Sequence, residues 1–538
     1  MIMTKLNRFA FIFIFAATLV ALALRLPKLE QRPMHGDEAV HAIKFGALLE
    51  KGFYRYDSFE YHGPTLNYVT LIPAWLSSAK RLTEVTELTL RIVPVFFGTL
   101  LVFMTALLLP GLGKVASMNA ALLTAISPAM AYYSRYYIQE MLLVCFTFGV
   151  IGCGYRYTQN KNFGWAAATG IFLGLMHATK ETCIIAWGAM VLALFFTFLL
   201  ARRDEGASHF ITHLQALKRR HVIAALIAAG AVSALFYSSF FTHAQGVPDS
   251  ILTYKTYLSR AGHDPVHIHP WHYYLNILAY FRLGENPFWS EALILLLAAA
   301  GFIFALKKKR DADLNLLRFL AFYTLFMALV YSLIPYKTPW NLICFLHGMI
   351  LLAGAGAVAI PQMFSAKFAR AAAIALMMAG GAHLTWQAYL ATYKYDENPA
   401  NPYVYAHPVN DVFTMVKRVE EIARAHPDGN NLYMQVICPD NDYWPLPWYL
   451  RAFTNVGWWQ EVDESSPSAP LIIASSKIEP AIMRKLYELP PPGQRPLYVP
   501  LFDGYLEMRP QIELRGYVRK DLWDKFQEQQ TKSVSSDQ

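Results

Sequence analysis

The chain has 538 residues, 55% of them hydrophobic and only 16% charged, and its mean hydropathy is +0.27. A soluble domain carries about 25% charged residues, so this composition excludes an ordinary soluble enzyme and points to the membrane. The net charge of +9 could suit nucleic acid, but the cations fall mostly in short loops between apolar runs, which is a topology signal.

A membrane-crossing helix needs about 20 mostly apolar residues. On that rule the sequence predicts spans at 9–26, 89–110, 115–132, 139–155, 163–179, 183–201, 222–242, 290–306, 316–334, 342–360 and 371–390, eleven in all. Ala21-Leu22-Ala23 resembles a signal cleavage site, yet with ten further spans to come the first run reads as an uncleaved span. "PTLNYVTLIPAWL" (64–76) is too short to cross and is predicted to lie in the interface. Gly170 and Gly174 form a GxxxG pattern, a helix-packing signature. The five cysteines make no disulfide or metal framework: Cys145, Cys153 and Cys344 lie in apolar runs, Cys183 at the edge of one and Cys438 in the polar tail.

Lysine and arginine set the orientation. The most basic short loops are 156–161, 202–221, 307–315 and 367–370. Placing them in the cytoplasm puts the amino end inside and, with an odd number of spans, the tail outside. From about residue 391 long apolar runs stop. "NNLYMQVIC" and "APLIIASS" read as short buried strands and "LYVPLFDGYLEMRPQIELRGYVRKDLW" as further strands, so 391–525 is predicted to be a small α/β domain. Residues 526–538 are predicted to lack structure. The fold class expected is thus an all-α polytopic membrane domain over 1–390 with this extracytoplasmic domain appended.

Ionisable residues gather on the predicted outer side. They are Asp37, Glu38, His41 and His62 in the first loop, Arg135 and Glu140 in "YYSRYYIQE", and Lys180 and Glu181 in "HATKETC". Arg260, His263, His267, His269, His272, Arg282 and Glu285 follow in a long loop, then Lys337 in "IPYKTPWN". Ionisable groups at or within spans are costly, so they are functional candidates. Cations mixed with acids and imidazoles suit a substrate with a phosphate near a reacting hydroxyl or amine. Asp37 opens a helical pattern: it is either an N-cap, or it shares a face with His41 at i, i+4 and acts as a general base or a metal ligand. Glu140 has an ion pair with Arg135 or Arg91 as its structural alternative. Lys180 and Lys337 could snorkel to the interface, but with Arg135 and Arg282 on the same side they suit a phosphate better. The histidines of "GHDPVHIHPWHYYL" offer a helical pair only at His263 and His267, which Pro265 interrupts, so a mobile aromatic loop is favoured over zinc. "DND" at 440–442 is read as turn chemistry.

The motifs "GDEA", "YHGP", "SRYYIQE", "TKET" and "PYKTPW", in that order between spans, resemble those of the GT-C glycosyltransferases. Within that superfamily the chain resembles the dolichyl-phosphate-mannose-protein mannosyltransferase-like group and the flippase-activity-associated proteins of archaeal-type N-glycosylation. The resemblance implies a multi-pass enzyme of the inner (plasma) membrane that takes a sugar from a polyprenyl-phosphate donor and inverts the anomeric carbon by direct displacement. The acceptor would be a glycan, lipid or protein; nucleic acid is no partner. It implies Asp37 as the base or acceptor-positioning acid, Glu140 as the second acid, and Lys337 and Arg135 as phosphate contacts; with Glu38 beside Asp37, the candidate catalytic acids are Asp37, Glu38 and Glu140. His41, His62, Arg135, Lys180, Arg282 and Lys337 are the candidate substrate-binding residues. The resemblance names no cofactor, and a divalent metal is left open. The alternative is a non-catalytic flippase- or transporter-associated membrane protein.

Overall fold

Every predicted apolar run forms a helix in the computed structural model, which describes residues 5–59, 62–205, 217–260, 267–307 and 313–536. The helices are α1 (Lys5–Arg25), α2 (Gly36–Lys51), α3 (Thr65–Leu76), α4 (Glu87–Met104), α5 (Lys114–Ile126), α6 (Glu140–Asn160), α7 (Phe163–His177) and α8 (Cys183–Glu205). They continue as α9 (Arg219–Tyr237), α10 (Ala292–Leu306), α11 (Leu314–Leu333), α12 (Ile343–Gln362) and α13 (Lys367–Tyr393). Eight of the eleven expected spans are long and apolar enough to cross a membrane, which makes this a multi-pass membrane protein.

The other three, α5, α7 and α10, are shorter, with 13, 15 and 15 residues. At 1.5 Å per residue they reach roughly 20–22 Å, less than the ~30 Å hydrocarbon core. For α5 the cause is local. Pro128 cannot donate into a continuing helix, and Ser127 instead caps a new segment, Pro128–Tyr133, by accepting from the Met130 N–H. The predicted span 115–132 is therefore two helical pieces.

The chain divides into two compact units. The larger comprises Met1–Leu29, Ala47–Ser78 and Leu88–Tyr405. Its helices approach closely where glycine removes the side chain. A Cβ on Gly170 or Gly174 of α7 would lie 2.1 or 2.5 Å from carbonyl oxygens of Ala225 and Ala229 on α9, so the GxxxG stripe is a packing face as expected. α6 and α12 are the most enclosed spans, 83% and 78% buried over their apolar windows. The run at 64–76, too short to cross, forms the 12-residue α3, which leaves Trp75 and Leu76 exposed.

The smaller unit comprises Glu30–Gly46, Ala79–Glu87 and Ala406–Gln538. Its strands are β1 (Met434–Ile437), β2 (Val456–Trp459), β3 (Leu471–Ser475), β4 (Tyr498–Pro500), β5 (Glu507–Arg509) and β6 (Ile512–Arg519). They form a sheet of order β2-β1-β3-β6-β4, with β5 pairing to β6. β1 runs parallel to β2 and β3, while β6 is antiparallel to β3 and β4. Strands buried on both faces read as continuous apolar runs, which is why β1 and β3 were legible. β2, "VGWW", was not anticipated.

One face packs on helices α14 (Asp411–Ala425) and α15 (Lys520–Ser536) through Val412, Met415, Val419, Ile422, Leu522 and Phe526. The final residues, expected to lack structure from 526, continue α15 to Ser536, anchored by these two buried residues of its first turns. The unit also draws in two segments of the chain between α1 and α4. The Met34 N–H donates to Tyr449 Oη at 2.8 Å, the Trp448 indole donates to Glu87 Oε1 at 2.8 Å, and Arg451 donates to the Leu82 and Val85 carbonyls.

Candidate active site

In the larger unit, "YHGP" meets "ATKET". Gly63 is needed because a Cβ there would lie 2.3 Å from the Ala178 carbonyl oxygen. The Thr65 N–H donates to that carbonyl at 3.1 Å, and the Thr65 and Thr179 hydroxyls share a 2.7 Å hydrogen bond. This close approach sets His62 Nδ1 2.8 Å from Glu181 Oε2, while the Tyr56 hydroxyl donates to Oε1 at 3.3 Å. Burial works against the Glu181 charge, but the His62 ring, a backbone N–H and the Lys180 ammonium together outweigh it and hold the carboxyl below its ordinary value.

Lys180, in the same turn, donates to Glu140, and both are buried. Burial works against the Lys180 charge too. The Glu140 carboxylate outweighs it and raises the ammonium above its ordinary value. The expected partners of Glu140 were Arg135 or Arg91; the structure gives it Lys180 instead. Glu140 also opens α6, where the helix dipole favours an acid.

Arg135 turns the other way. Its guanidinium donates to the carbonyls of Arg25, Pro27 and Lys28 at 2.8, 2.6 and 2.9 Å, and lies 4.9 Å from the centre of the Tyr393 ring. The Arg25 carbonyl ends α1 and the other two follow it, so Arg135 ties down the helix C-terminus and the chain that leaves it.

A second group forms where "HIHPW" meets "IPYKTPW". The Lys337 N–H donates to the His267 carbonyl at 2.9 Å, and the His269 N–H donates to the Pro335 carbonyl at 3.1 Å, so 267–269 and 335–337 pair like two short strands. The Lys337 side chain is 1% exposed. Its ammonium donates to the carbonyls of His269 (3.1 Å) and Ile334. Among the described residues no carboxylate pairs with it, and burial lowers it below the usual lysine value. His269 Nε2 is likewise buried without a partner among the described residues, and burial lowers this imidazole.

Aromatic rings wall this group: Tyr336 stands 4.8 Å from His267, Tyr273 stacks on His269 at 4.2 Å, and Tyr405 donates to or accepts from His267 Nδ1 at 2.6 Å. Tyr136 of "SRYYIQE" meets Trp340 at 5.7 Å, so the two groups share one end of the larger unit. Arg282 lies in an exposed turn with its Nε on the Asn286 carbonyl, apart from that buried cation. His263 of the weighed histidine pair lies outside the described residues, as does the side chain of Arg260.

In the smaller unit, α2 begins at Gly36, so Asp37 stands in the first turn and is not the N-cap. Glu38 takes the capping role: its Oε2 accepts the His35 N–H at 3.0 Å and pairs with Arg32 at 2.8 Å, wholly buried. The Asp37 side chain is 50% exposed and stands 4.0 Å from His35 Nδ1. His41 is buried one turn on along the same helix. At "DND", Asp440 and Asn441 have positive φ and Asp442 pairs with Arg509, which is turn chemistry as expected.

Sequence reasoning passed over Glu291. It is fully buried at the head of α10 and accepts from Ser127 Oγ (2.6 Å), the Ala129 N–H (2.9 Å) and Tyr403 Oη (2.8 Å). An acid at the very start of an apolar run, "WSEAL", was the available signal.

Residues 69–229 match the family model described as dolichyl-phosphate-mannose-protein mannosyltransferase. No curated protein sequence matches the chain significantly. Among solved structures, ArnT from Cupriavidus metallidurans bound to undecaprenyl phosphate is similar at a TM-score of 0.60 and 14% identity, over 94% of this chain and 97% of that one. The Archaeoglobus fulgidus oligosaccharyltransferase tethered with an acceptor peptide is similar at 0.55 and 14%, over 88% and 69%. The arabinofuranosyltransferase AftD from Mycobacteria is similar at 0.50 and 14%, over 95% and 40%. The chain has the GT-C fold. The GT-C resemblance read from the short motifs is thereby borne out at the level of the fold.

Proposed function

We propose that this GT-C protein is an inverting glycosyltransferase that moves a sugar from a polyprenyl-phosphate donor to a lipid, glycan or protein acceptor at the outer membrane face. The observation that carries this is Lys337. An ammonium withdrawn from water without a counter-charge is costly, and a bound phosphate would remove that cost with a charge-assisted contact. Two of the similar structures hold such lipids, undecaprenyl phosphate in ArnT and dolichol-phosphate in the archaeal oligosaccharyltransferase, which supports the donor class.

In this reaction the acceptor oxygen or nitrogen attacks the anomeric carbon, the bond to phosphate breaks, and polyprenyl phosphate leaves. Lys337 meets the charge that grows on the leaving phosphate, an electrostatic effect that is strong in a partly dry site. For the acceptor proton the GT-C resemblance points to Asp37, which within its own unit is partly exposed while Glu38 holds a buried cation. A positioned base contributes roughly 100- to 10,000-fold. The Glu140–Lys180 and Glu181–His62 pairs act as positioning groups that fix the turn at 178–181. Arg135 fixes the end of α1.

The test is to supply the purified full chain with polyprenyl-phosphate sugars together with glycan, lipid and peptide acceptors, and to follow release of polyprenyl phosphate. Release by the wild type that Asp37→Asn abolishes, with the variant still folded, supports the proposal. No release from pentosyl or hexosyl donors by the wild type would favour the non-catalytic alternative.

A further inference from the structure

The opposite kind of charge cluster lies at the ends of α6, α7 and α9, in the larger unit and away from the residues discussed so far. Tyr157 is its hub. The Lys161 ammonium stands 5.4 Å from the centre of the Tyr157 ring, the His221 ring lies 5.8 Å from it, and the Lys218 N–H reaches its hydroxyl at 3.3 Å. Phe163 closes on His221 at 5.5 Å, and Arg156 lies over Trp165 at 5.5 Å. Arg219 and Arg220 follow Lys218 and are exposed.

Four features leave this cluster short of negative charge. No carboxylate pairs with Arg156, Lys161, Lys218, Arg219 or Arg220 among the described residues. Asp313, which stands beside this end of α6, is engaged by Gln159 at 3.2 Å and by the Leu316 N–H that it caps. α9 opens on Lys218 with no side-chain cap, so cations crowd the positive end of the helix dipole. Finally, Arg156 Nε and His221 Nδ1 are buried without hydrogen-bond partners among the described residues, and His221 is only 4% exposed. Cations that merely set topology would extend to water, whereas here two are laid on aromatic faces and burial lowers Lys161 below its ordinary value.

We infer that this cluster binds the head group of an anionic phospholipid. Basic pockets between membrane helices suit lipid phosphates, and Trp165, Tyr157 and Phe163 are the amphipathic and apolar rings that sit at head-group level. The basic-loop bias places this end in the cytoplasm, where anionic lipid is met. The site is separate from the one that would take a lipid-linked sugar, so its occupancy does not depend on transfer chemistry.

The experiment reconstitutes the full chain in nanodiscs of phosphatidylcholine with a minor share of phosphatidylglycerol and counts the phosphatidylglycerol retained by native mass spectrometry. The variant is Arg156→Gln with Lys161→Gln and Lys218→Gln; the control is Lys367→Gln with Arg370→Gln, at another basic loop. Each charge near an anionic surface is worth about fivefold, so the triple variant should lose retained phosphatidylglycerol by roughly a hundred-fold in affinity, and the control should keep it. Inorganic phosphate at millimolar concentration should not displace the lipid. Equal retention by wild type and triple variant, equal loss in the control, or displacement by inorganic phosphate alone would each overturn the inference.

Discussion

Lys180 and Lys337 look alike in sequence, since each follows an apolar run and each is flanked by threonine and aromatic or acidic neighbours. The fold treats them oppositely. Lys180 meets a buried carboxylate, Glu140, whereas among the described residues Lys337 meets carbonyl oxygens and no carboxylate. A cation that has its counter-ion holds structure together, and a cation that lacks one can recognise an anion. The same contrast separates Glu38, locked to Arg32, from Asp37, half in solvent.

The largest effect should come from breaking the buried pair. Lys180→Ala leaves Glu140 charged and buried, a loss of about 3–5 kcal/mol, which thermal unfolding in detergent should register as a large drop. Lys180→Met with Glu140→Leu should recover much of it, since apolar replacement of both partners is often neutral. If Lys180→Ala unfolds like the wild type but loses donor binding, the two lysines have exchanged roles.

Next comes Lys337→Ala. A charge-assisted contact is worth about 1.5–3 kcal/mol, so apparent donor affinity should fall roughly ten- to a hundred-fold while the melting temperature holds or rises. The acid pair sharpens the contrast further. Asp37→Asn should abolish transfer at normal stability, whereas Glu38→Gln should chiefly destabilise, because Arg32 would lose its partner.

A smaller effect lies in pH. Burial sets the free Lys337 ammonium below its ordinary 10.5, and a bound phosphate would raise it. Affinity is therefore full below the free-state value and falls as pH rises through it, toward the ordinary lysine range. Lys337→Arg, if it binds at all, should lack that alkaline decline. The smallest effect is Arg282→Ala: its site is an exposed turn, and donor affinity should change by less than about twofold, in line with the ±0.5 kcal/mol usual for surface substitutions.

Much of this was legible in the sequence where the determinant is local. Apolar runs gave the helices, Pro128 could have signalled the break after α5, and the shortness of α3 followed from the length of the 64–76 run. Lys337 emerged from sorting charges by side. What escaped depends on contacts distant along the chain. Glu140 finds Lys180 only because the turn after α7 folds back on the start of α6, and Gly63 explains itself only beside Ala178. The cap at α2 fell to Glu38, three residues after His35, not to Asp37, because the helix begins at Gly36. β2 escaped because "VGWW" has no alternation to mark it, and α15 because its anchoring pair, Leu522 and Phe526, is sparse.

The most direct measurement compares binding of a polyprenyl-phosphate sugar with that of the corresponding uncharged polyprenol by the wild type and by Lys337→Ala. We expect the wild type to prefer the phosphate by roughly ten- to a hundred-fold and Lys337→Ala to lose that preference while still binding the prenyl chain. Equal binding of phosphate and alcohol by the wild type, or an unchanged preference in Lys337→Ala, would contradict the assignment of Lys337 to the donor phosphate.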